Sequence, residues 1–285
     1  MSIHPAFGQP KSGDVIVNGI RLHYLDWGGD GPPIVLLHAT GFLGPIYRPI
    51  AQALTAIGHV YSYDQRGHGD SERPGNDIYG WDITAGDLEG FILAMGFKNV
   101  RGIGHSAGAT AIGVVASGRP DLISRAMLIE PVIFDVNDPM VRRPSEMRER
   151  TLKRKRSFES VEAMFRNFEH KPPYATWRKE ILREYCELGT HVGADGKRVL
   201  KCHPEVEAEI YATSRNFDGL AYLMRCNAPL LILFGEKTDA PGLALAPRLA
   251  ADSRRIVIVP GTTHFIPMEE PELTARMALE FLGGE

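Results

Sequence analysis

Six short apolar runs constrain this chain more than any other feature: PPIVLLHATG, HVYSYDQRG, NVRGIGHS, SRAMLIEP, APLLILFGE and RRIVIVPG. Each is a continuous run rather than an alternating one, the pattern of a strand buried on both faces. Helical patterns lie between several of them. Trp81, Ala85, Leu88, Ile92 and Met95 recur at steps of four and three, marking one face of a helix, and Gly96 supplies its stop. Residues 107–118, AGATAIGVVASG, are small and apolar throughout, which suits a helix pressed closely on a sheet; Arg119-Pro120 ends it. Buried-type strands alternating with helices predict an α/β fold with a mainly parallel, doubly wound sheet covered on both faces. Ahead of it, DVIVNGIRLHYLDWG reads as a hairpin turning at Asn18-Gly19, two residues that tolerate positive φ.

The alternation breaks between about residues 135 and 225. This stretch is charged, helical in pattern and rich in aromatics, among them Phe158, Phe165, Phe168, Tyr174, Trp177, Tyr185, Tyr211 and Phe217, with no strand-like run. The predicted organisation is a core of residues 1–134 and 226–285 carrying a helical cap of residues 135–225. An insertion at the C-terminal edge of a parallel sheet lies where ligands bind, so the segment is a candidate lid. Its basic run RERTLKRKR at 148–156 reads as a solvated helix face, or as a positive lip that attracts anionic substrates. Tyr174, Trp177 and Phe217 are either cap core or pocket lining.

Charge excludes some classes of partner. With 32 Lys and Arg against 35 Asp and Glu, the net charge of −3 exerts no general pull on nucleic acid or anionic membrane. No apolar run approaches the roughly 18–20 residues of a membrane helix. The opening MSIHPAFGQPKSG lacks the basic and apolar regions of a secretory signal. Three scattered cysteines, Cys186, Cys202 and Cys226, predict free thiols and a cytoplasmic location. No metal-ligand spacing and no phosphate-binding glycine motif is present, so neither metal nor organic cofactor is implied and the expected partner is a small-molecule substrate. Oligomeric state is not legible.

The chemistry centres on GIGHSAGAT at 102–110. Ser106 follows a strand, precedes the small-residue helix and is flanked by Gly104 and Gly108. In that setting G-x-S-x-G forms a sharp turn that lifts the serine hydroxyl above the sheet and aims the next N–H, that of Ala107, at the same spot. The helix N-terminus adds partial positive charge there.

HATG at 38–41, YDQRGHGDS at 63–71, GHSAG at 104–108 and PGTTHFIPMEEPE at 260–272 together resemble the α/β-hydrolases of the capped, single-domain kind, over nearly the whole chain. Esterases, lactonases, C–C bond hydrolases and haloalkane dehalogenases belong to that group. The resemblance implies the order nucleophile, acid, histidine. Ser106 is the nucleophile. His264, just past the run RRIVIVPG, is the best placed of the ten histidines to act as base, and His38 and His68 read as structural. The resemblance puts the oxyanion donors at the N–H groups of Thr40 and Ala107, although Ala39 stands where most relatives carry glycine. Two acids remain open. The commoner family position lies three residues after the glycine of LLILFGE; here Asp239 comes one residue later. Glu130, at the tip of AMLIEP, matches the position used by some relatives. An unpartnered carboxylate there would be costly. Otherwise Asp239 would be a helix N-cap and Glu130 a loop acceptor. Asp64, Arg66 and Asp70 read as ties between loops.

The expected function is that of a serine hydrolase cleaving an ester or lactone through an acyl-enzyme. C–C bond hydrolysis of a diketone uses the same residue types and stays open, as does a non-catalytic ligand-binding role on the same scaffold. A serine at the elbow argues against epoxide hydrolase or dehalogenase chemistry, which in this fold uses aspartate there.

Overall fold

A computed structural model describes residues 9–76, 78–138, 146–214 and 216–284. The first eight residues of the opening stretch read above, and residues 139–145 and 215 of the inserted segment, lie outside the described residues. Eleven strands follow in chain order: β1 (Lys11–Val17), β2 (Ile20–Gly28), β3 (Pro33–Leu37), β4 (His59–Tyr63), β5 (Val100–His105), β6 (Ile123–Ile129), β7 (Ser157–Phe158), β8 (Thr190–Val192), β9 (Arg198–Leu200), β10 (Leu230–Gly235) and β11 (Arg254–Val259). Eight of them form one sheet in the order β1-β2-β4-β3-β5-β6-β10-β11. β1 and β2 form the expected hairpin, with Val17 opposite Ile20 and both turn residues, Asn18 and Gly19, at positive φ. β2 also runs antiparallel to β4, and every pairing from β4 to β11 is parallel.

The helices are α1 (Arg48–Leu54), α2 (Trp81–Ala94), α3 (Ala107–Gly118), α4 (Glu146–Leu152), α5 (Val161–Phe168), α6 (Lys179–Leu188), α7 (Pro204–Ser214), α8 (Gly219–Arg225), α9 (Gly242–Leu249), α10 (Ile266–Glu269) and α11 (Pro271–Gly283). Residues of one strand alternate between two cores, as the pleat requires. Ile34 and Leu36 of β3 pack with Ile50 and Leu54 of α1 and Ala278 and Leu282 of α11. Val35 and Leu37 pack with Leu88 and Phe91 of α2 and Ile112 of α3 on the opposite face. The sheet is therefore covered on both sides, which is why its strands read as continuous apolar runs. β11 differs because it has only one strand neighbour: it is half-buried and leaves Ile258 exposed.

The segment between β6 and β10 is not purely helical. β7, β9 and β8 form a small antiparallel sheet, so the expectation of no strands there is wrong. Strands of two or three residues are too short to show a period. α8 falls inside the range read as an insertion yet packs with the core, Leu220 and Leu223 joining the cluster beneath α3. Among the described residues no helix is long and apolar enough to cross a membrane.

Loop 64–70 ties the parts together. Arg66 makes a two-pronged pair with Asp87 of α2, Nε to Oδ2 at 2.6 Å and Nη2 to Oδ1 at 2.7 Å, both side chains being nearly buried. Asp64 accepts from the backbone of Gly44 and Asp70 and pairs with His23. Burial alone would raise the Asp64 pKa; the His23 bond and these N–H groups outweigh it and hold the carboxyl below its usual range. Asp87→Ala would leave the Arg66 guanidinium buried and uncompensated. The expected cost is about 3–5 kcal/mol, read as a lower urea midpoint at unchanged slope; a loss no larger than that of a surface substitution would show that the pair carries no such weight.

Candidate active site

Parallel register places the chemistry along one edge. His105 at the end of β5 lies opposite Ile129 at the end of β6, so the next residues, Ser106 and Glu130, emerge side by side. Both have positive φ, +56° and +52°, without being glycine. Such backbone costs of order 1–3 kcal/mol each and persists only where the surroundings impose it. Here Ser106 N–H donates to Ile129 O (2.9 Å), and Glu130 N–H to Leu233 O (2.8 Å). The flanking glycines are sterically required. A Cβ on Gly108 would sit 2.4 Å from Leu37 O, and one on Gly104 2.6 Å from Ala109 N. Their absence lets α3 start hard against the ends of β3 and β5.

His264, in the loop after β11, completes a line. Its Nε2 lies 2.9 Å from Ser106 Oγ and its Nδ1 2.9 Å from Glu130 Oε2. A buried carboxylate at this spacing accepts, so Nδ1 carries the proton and the Nε2 lone pair faces the serine hydroxyl. Glu130 is fully buried and satisfied: Oε1 accepts Gly235 N–H (2.5 Å), and Oε2 also accepts the Thr238 hydroxyl (2.8 Å). Of the two acids open in the sequence, Glu130 therefore meets the imidazole. Asp239 is exposed. It is not the N-cap of α9 either, since that position is Pro241. Thr238 stands at the offset, three residues after Gly235, where the commoner family position puts an acid, and its hydroxyl donates to Glu130.

The oxyanion loop follows β3. Ala39 N–H donates to Tyr47 Oη (3.2 Å), and Gly41 N–H to His68 Nε2 (2.9 Å). Thr40 N–H is left as the one of the three without a partner among the described residues. Ala107 N–H opens α3, where no carbonyl of its own helix can reach it. Both donors named from sequence are therefore without an intramolecular acceptor among the described residues. His38 and His68 are structural: His38 Nε2 accepts Gln65 N–H (2.9 Å), and His68 Nδ1–H reaches Arg66 O (3.0 Å).

Sequence reasoning missed a second chain of bonds. His105 Nε2 lies 2.8 Å from His264 O, a carbonyl that can only accept, so this nitrogen carries the proton. Its Nδ1 then accepts the Tyr47 hydroxyl (2.7 Å), whose oxygen accepts Ala39 N–H. Every bond has one allowed direction, and together they tie the base loop to the oxyanion loop through the residue beside the nucleophile. Burial pushes the His105 pKa down to about 3, the His264 ring adding to the effect. Burial and the nearby His68 ring take His38 equally low, to about 3. The GHS tripeptide was visible; what its histidine touches depends on a tyrosine 58 positions away.

Trp177 and Tyr174, the expected pocket residues, are buried in an aromatic stack. Trp177 meets Phe42 edge-on (5.0 Å between centroids) and Phe265 (5.7 Å), the residues beside the oxyanion loop and His264 respectively. Tyr174 stacks on Phe168 at 4.3 Å. Tyr185 donates its hydroxyl to Gly41 O (3.3 Å).

A serine hydroxyl, an imidazole and a buried carboxylate in one hydrogen-bonded line have the geometry of an activated serine. The chain belongs to the alpha/beta hydrolase family, whose model matches residues 34–277. It is 26% identical over 265 residues to the 2-(acetamidomethylene)succinate hydrolase of Mesorhizobium japonicum, covering 89% of each chain. It is 35% identical to the N-formylmaleamate deformylase of Pseudomonas putida over 122 residues, 42% of this chain and 45% of that one, so this match spans less than half of the relative. Among solved structures, an E-2-(acetamidomethylene)succinate hydrolase superposes with a TM-score of 0.82 at 24% identity, over 96% of this chain and all of the other. The family and the two relatives named are hydrolases.

Tyr47→Phe removes the hydroxyl between Ala39 and His105 and leaves two buried polar groups unmatched. The expected loss is about 1–3 kcal/mol of stability, read by urea unfolding, together with a lower kcat; a variant equal to wild type in both would show that the chain of bonds has no mechanical role. Stability should also depend on acid. Unfolded, His38 and His105 take up protons near 6.5; folded, they do so only near 3. Between these values the unfolded chain binds more protons, so their contribution is complete above 6.5 and is lost as pH falls toward 3. The urea midpoint should drop between pH 7 and pH 5, and a flat midpoint would contradict neutral buried rings.

Proposed function

We propose that the protein is a serine hydrolase that cleaves an ester or lactone of a small organic substrate through an acyl-enzyme, with Ser106, His264 and Glu130 as its triad. The Ser106 to His264 to Glu130 line, with a tautomer dictated by its partners, carries this reading. Ser106 Oγ attacks the carbonyl carbon as its proton passes to His264 Nε2. The N–H groups of Thr40 and Ala107 hold the oxyanion. The tetrahedral species collapses, and the leaving oxygen takes the proton from His264. Water then repeats the sequence on the acyl-enzyme, releasing the acid and restoring Ser106. Glu130 fixes the imidazole and stabilises its charged form. Tyr174 and Trp177 form part of the cover over the bound substrate, and the part of residues 135–225 ahead of α8 serves as its cap. Three free, buried cysteines accord with a cytoplasmic setting.

Amide cleavage is a second reading, favoured by the names of the two relatives, an N-formylmaleamate deformylase and a 2-(acetamidomethylene)succinate hydrolase. It needs the same residues, with His264 delivering its proton to nitrogen.

A fluorophosphonate probe should label Ser106 in the wild type, as located by mass spectrometry, and p-nitrophenyl ester turnover should follow labelling. Glu130→Gln should lower kcat by roughly 10³–10⁴-fold, as loss of the orienting acid does in such triads, while Asp239→Asn stays within about twofold because the exposed side chain touches nothing in the line. Folded wild type that neither labels nor turns over esters or amides would favour a binding role. The reverse ranking of the two acid variants would overturn the assignment of Glu130.

A further inference from the structure

The basic run at 148–156 does not behave as one surface. Arg148 and Arg156 face outward and pair with Glu209 and Glu205. Arg154 turns in. Its Nη2 donates to the Tyr174 hydroxyl (3.0 Å), and its Nη1 pairs with Glu207 of α7. Glu207 in turn accepts the Tyr211 hydroxyl (3.2 Å), and its carboxylate lies 3.2 Å from where a Cβ on Gly41 would be. Gly41 follows Thr40, the free N–H of the oxyanion loop, and its carbonyl accepts from Tyr185. A cation from the inserted segment therefore stands one carboxylate away from the loop that would hold the substrate carbonyl.

Two features separate Arg154 from a purely structural tie. Its side chain keeps 23% of its surface accessible, whereas Glu207 keeps 8%, so the open partner of the pair is the cation. Glu207, Tyr174 and Tyr185, which also hydrogen-bonds the guanidinium, engage only part of a fork that carries five N–H donors and is shaped for two-pronged recognition of a carboxylate. The surrounding side chains, Tyr174, Tyr185 and Tyr211, are uncharged and carry hydroxyls. In such a setting an ionic hydrogen bond is weakly screened.

We infer that Arg154 is a specificity-determining residue that binds a carboxylate on the substrate, so that the site takes a short acid bearing both a free carboxylate and the carbonyl under attack. The inference rests on the acyl-transfer reading for the second half of that statement only. Glu207 holds the guanidinium in place before substrate arrives and competes with the substrate carboxylate for it.

The test uses the full chain and two matched esters, mono-p-nitrophenyl glutarate and p-nitrophenyl valerate, which differ by one terminal carboxylate. Wild type should prefer the glutarate ester in kcat/KM. Arg154→Gln should reduce that preference by about 100-fold, the size expected for removing one partner of an enclosed charge pair. Glu207→Gln, which removes the competitor, should increase it through a lower KM, a gain that loss of a structural tie would not produce. An unchanged preference in Arg154→Gln, or a wild type that prefers valerate, overturns the proposal. A separate arm needs no catalysis. Glutarate should raise the melting temperature of Ser106→Ala protein, and the double variant with Arg154→Gln should lose that shift. No shift with Arg154 in place also overturns the anion site, whereas a shift in a protein that hydrolyses neither ester would leave the site standing and remove the acyl-transfer reading.

Discussion

One buried carboxylate organises the working edge of this protein. Glu130 sits at the tip of a central strand with no access to water, and an ionised carboxylate there is tolerable only if its lone pairs are filled. Gly235 N–H, the Thr238 hydroxyl and His264 fill them. Those partners come from the end of β10, the turn after it and the loop after β11. Satisfying one charge therefore sets where three later segments stop, and the proposed base reaches the proposed nucleophile as a consequence.

Around that point the site is held by positions rather than by large contacts. Ser106 and Glu130 both adopt a backbone that side chains disfavour, and each is pinned by a bond to the neighbouring parallel strand. Tyr47 and His105 then tie the oxyanion loop to the base loop. Loop 64–70 holds the oxyanion loop from behind through His38 and His68, whose rings burial keeps neutral. Preorganisation of this kind can keep the Thr40 and Ala107 N–H groups from collapsing onto acceptors of the chain itself. The segment between β6 and β10 brings Trp177, Tyr185 and Glu207 against the oxyanion loop and turns Arg154 inward.

Much of this was legible because it is local. Continuous apolar runs report burial on both faces, and Asn18-Gly19 reports a turn. Two glycines around Ser106 report an approach too close for any Cβ. Other features had no local signal. The choice between Asp239 and Glu130 is one of them: the turn after β10 sets the Thr238 hydroxyl on Glu130 and leaves Asp239 exposed. β7, β8 and β9 are too short for their period to show. In RERTLKRKR nothing marks Arg154 apart from its neighbours, because its difference lies in a tyrosine and a glutamate 20 and 53 residues downstream.

By itself the sequence determined the strand and helix alternation and the sharp turn at Ser106, because each follows from short-range sterics or from periodicity within one element; the choice of His264 and of the Thr40 N–H came from the resemblance. Tertiary structure alone decided which carboxylate meets the imidazole, that His105 and Tyr47 join two loops, and which arginine of a basic run turns inward onto Tyr174 and Glu207. Those outcomes depend on register between strands that are neighbours in space and distant in the chain. A shift of one residue in the turn after β10 would exchange Thr238 for Asp239 while leaving every local pattern unaltered.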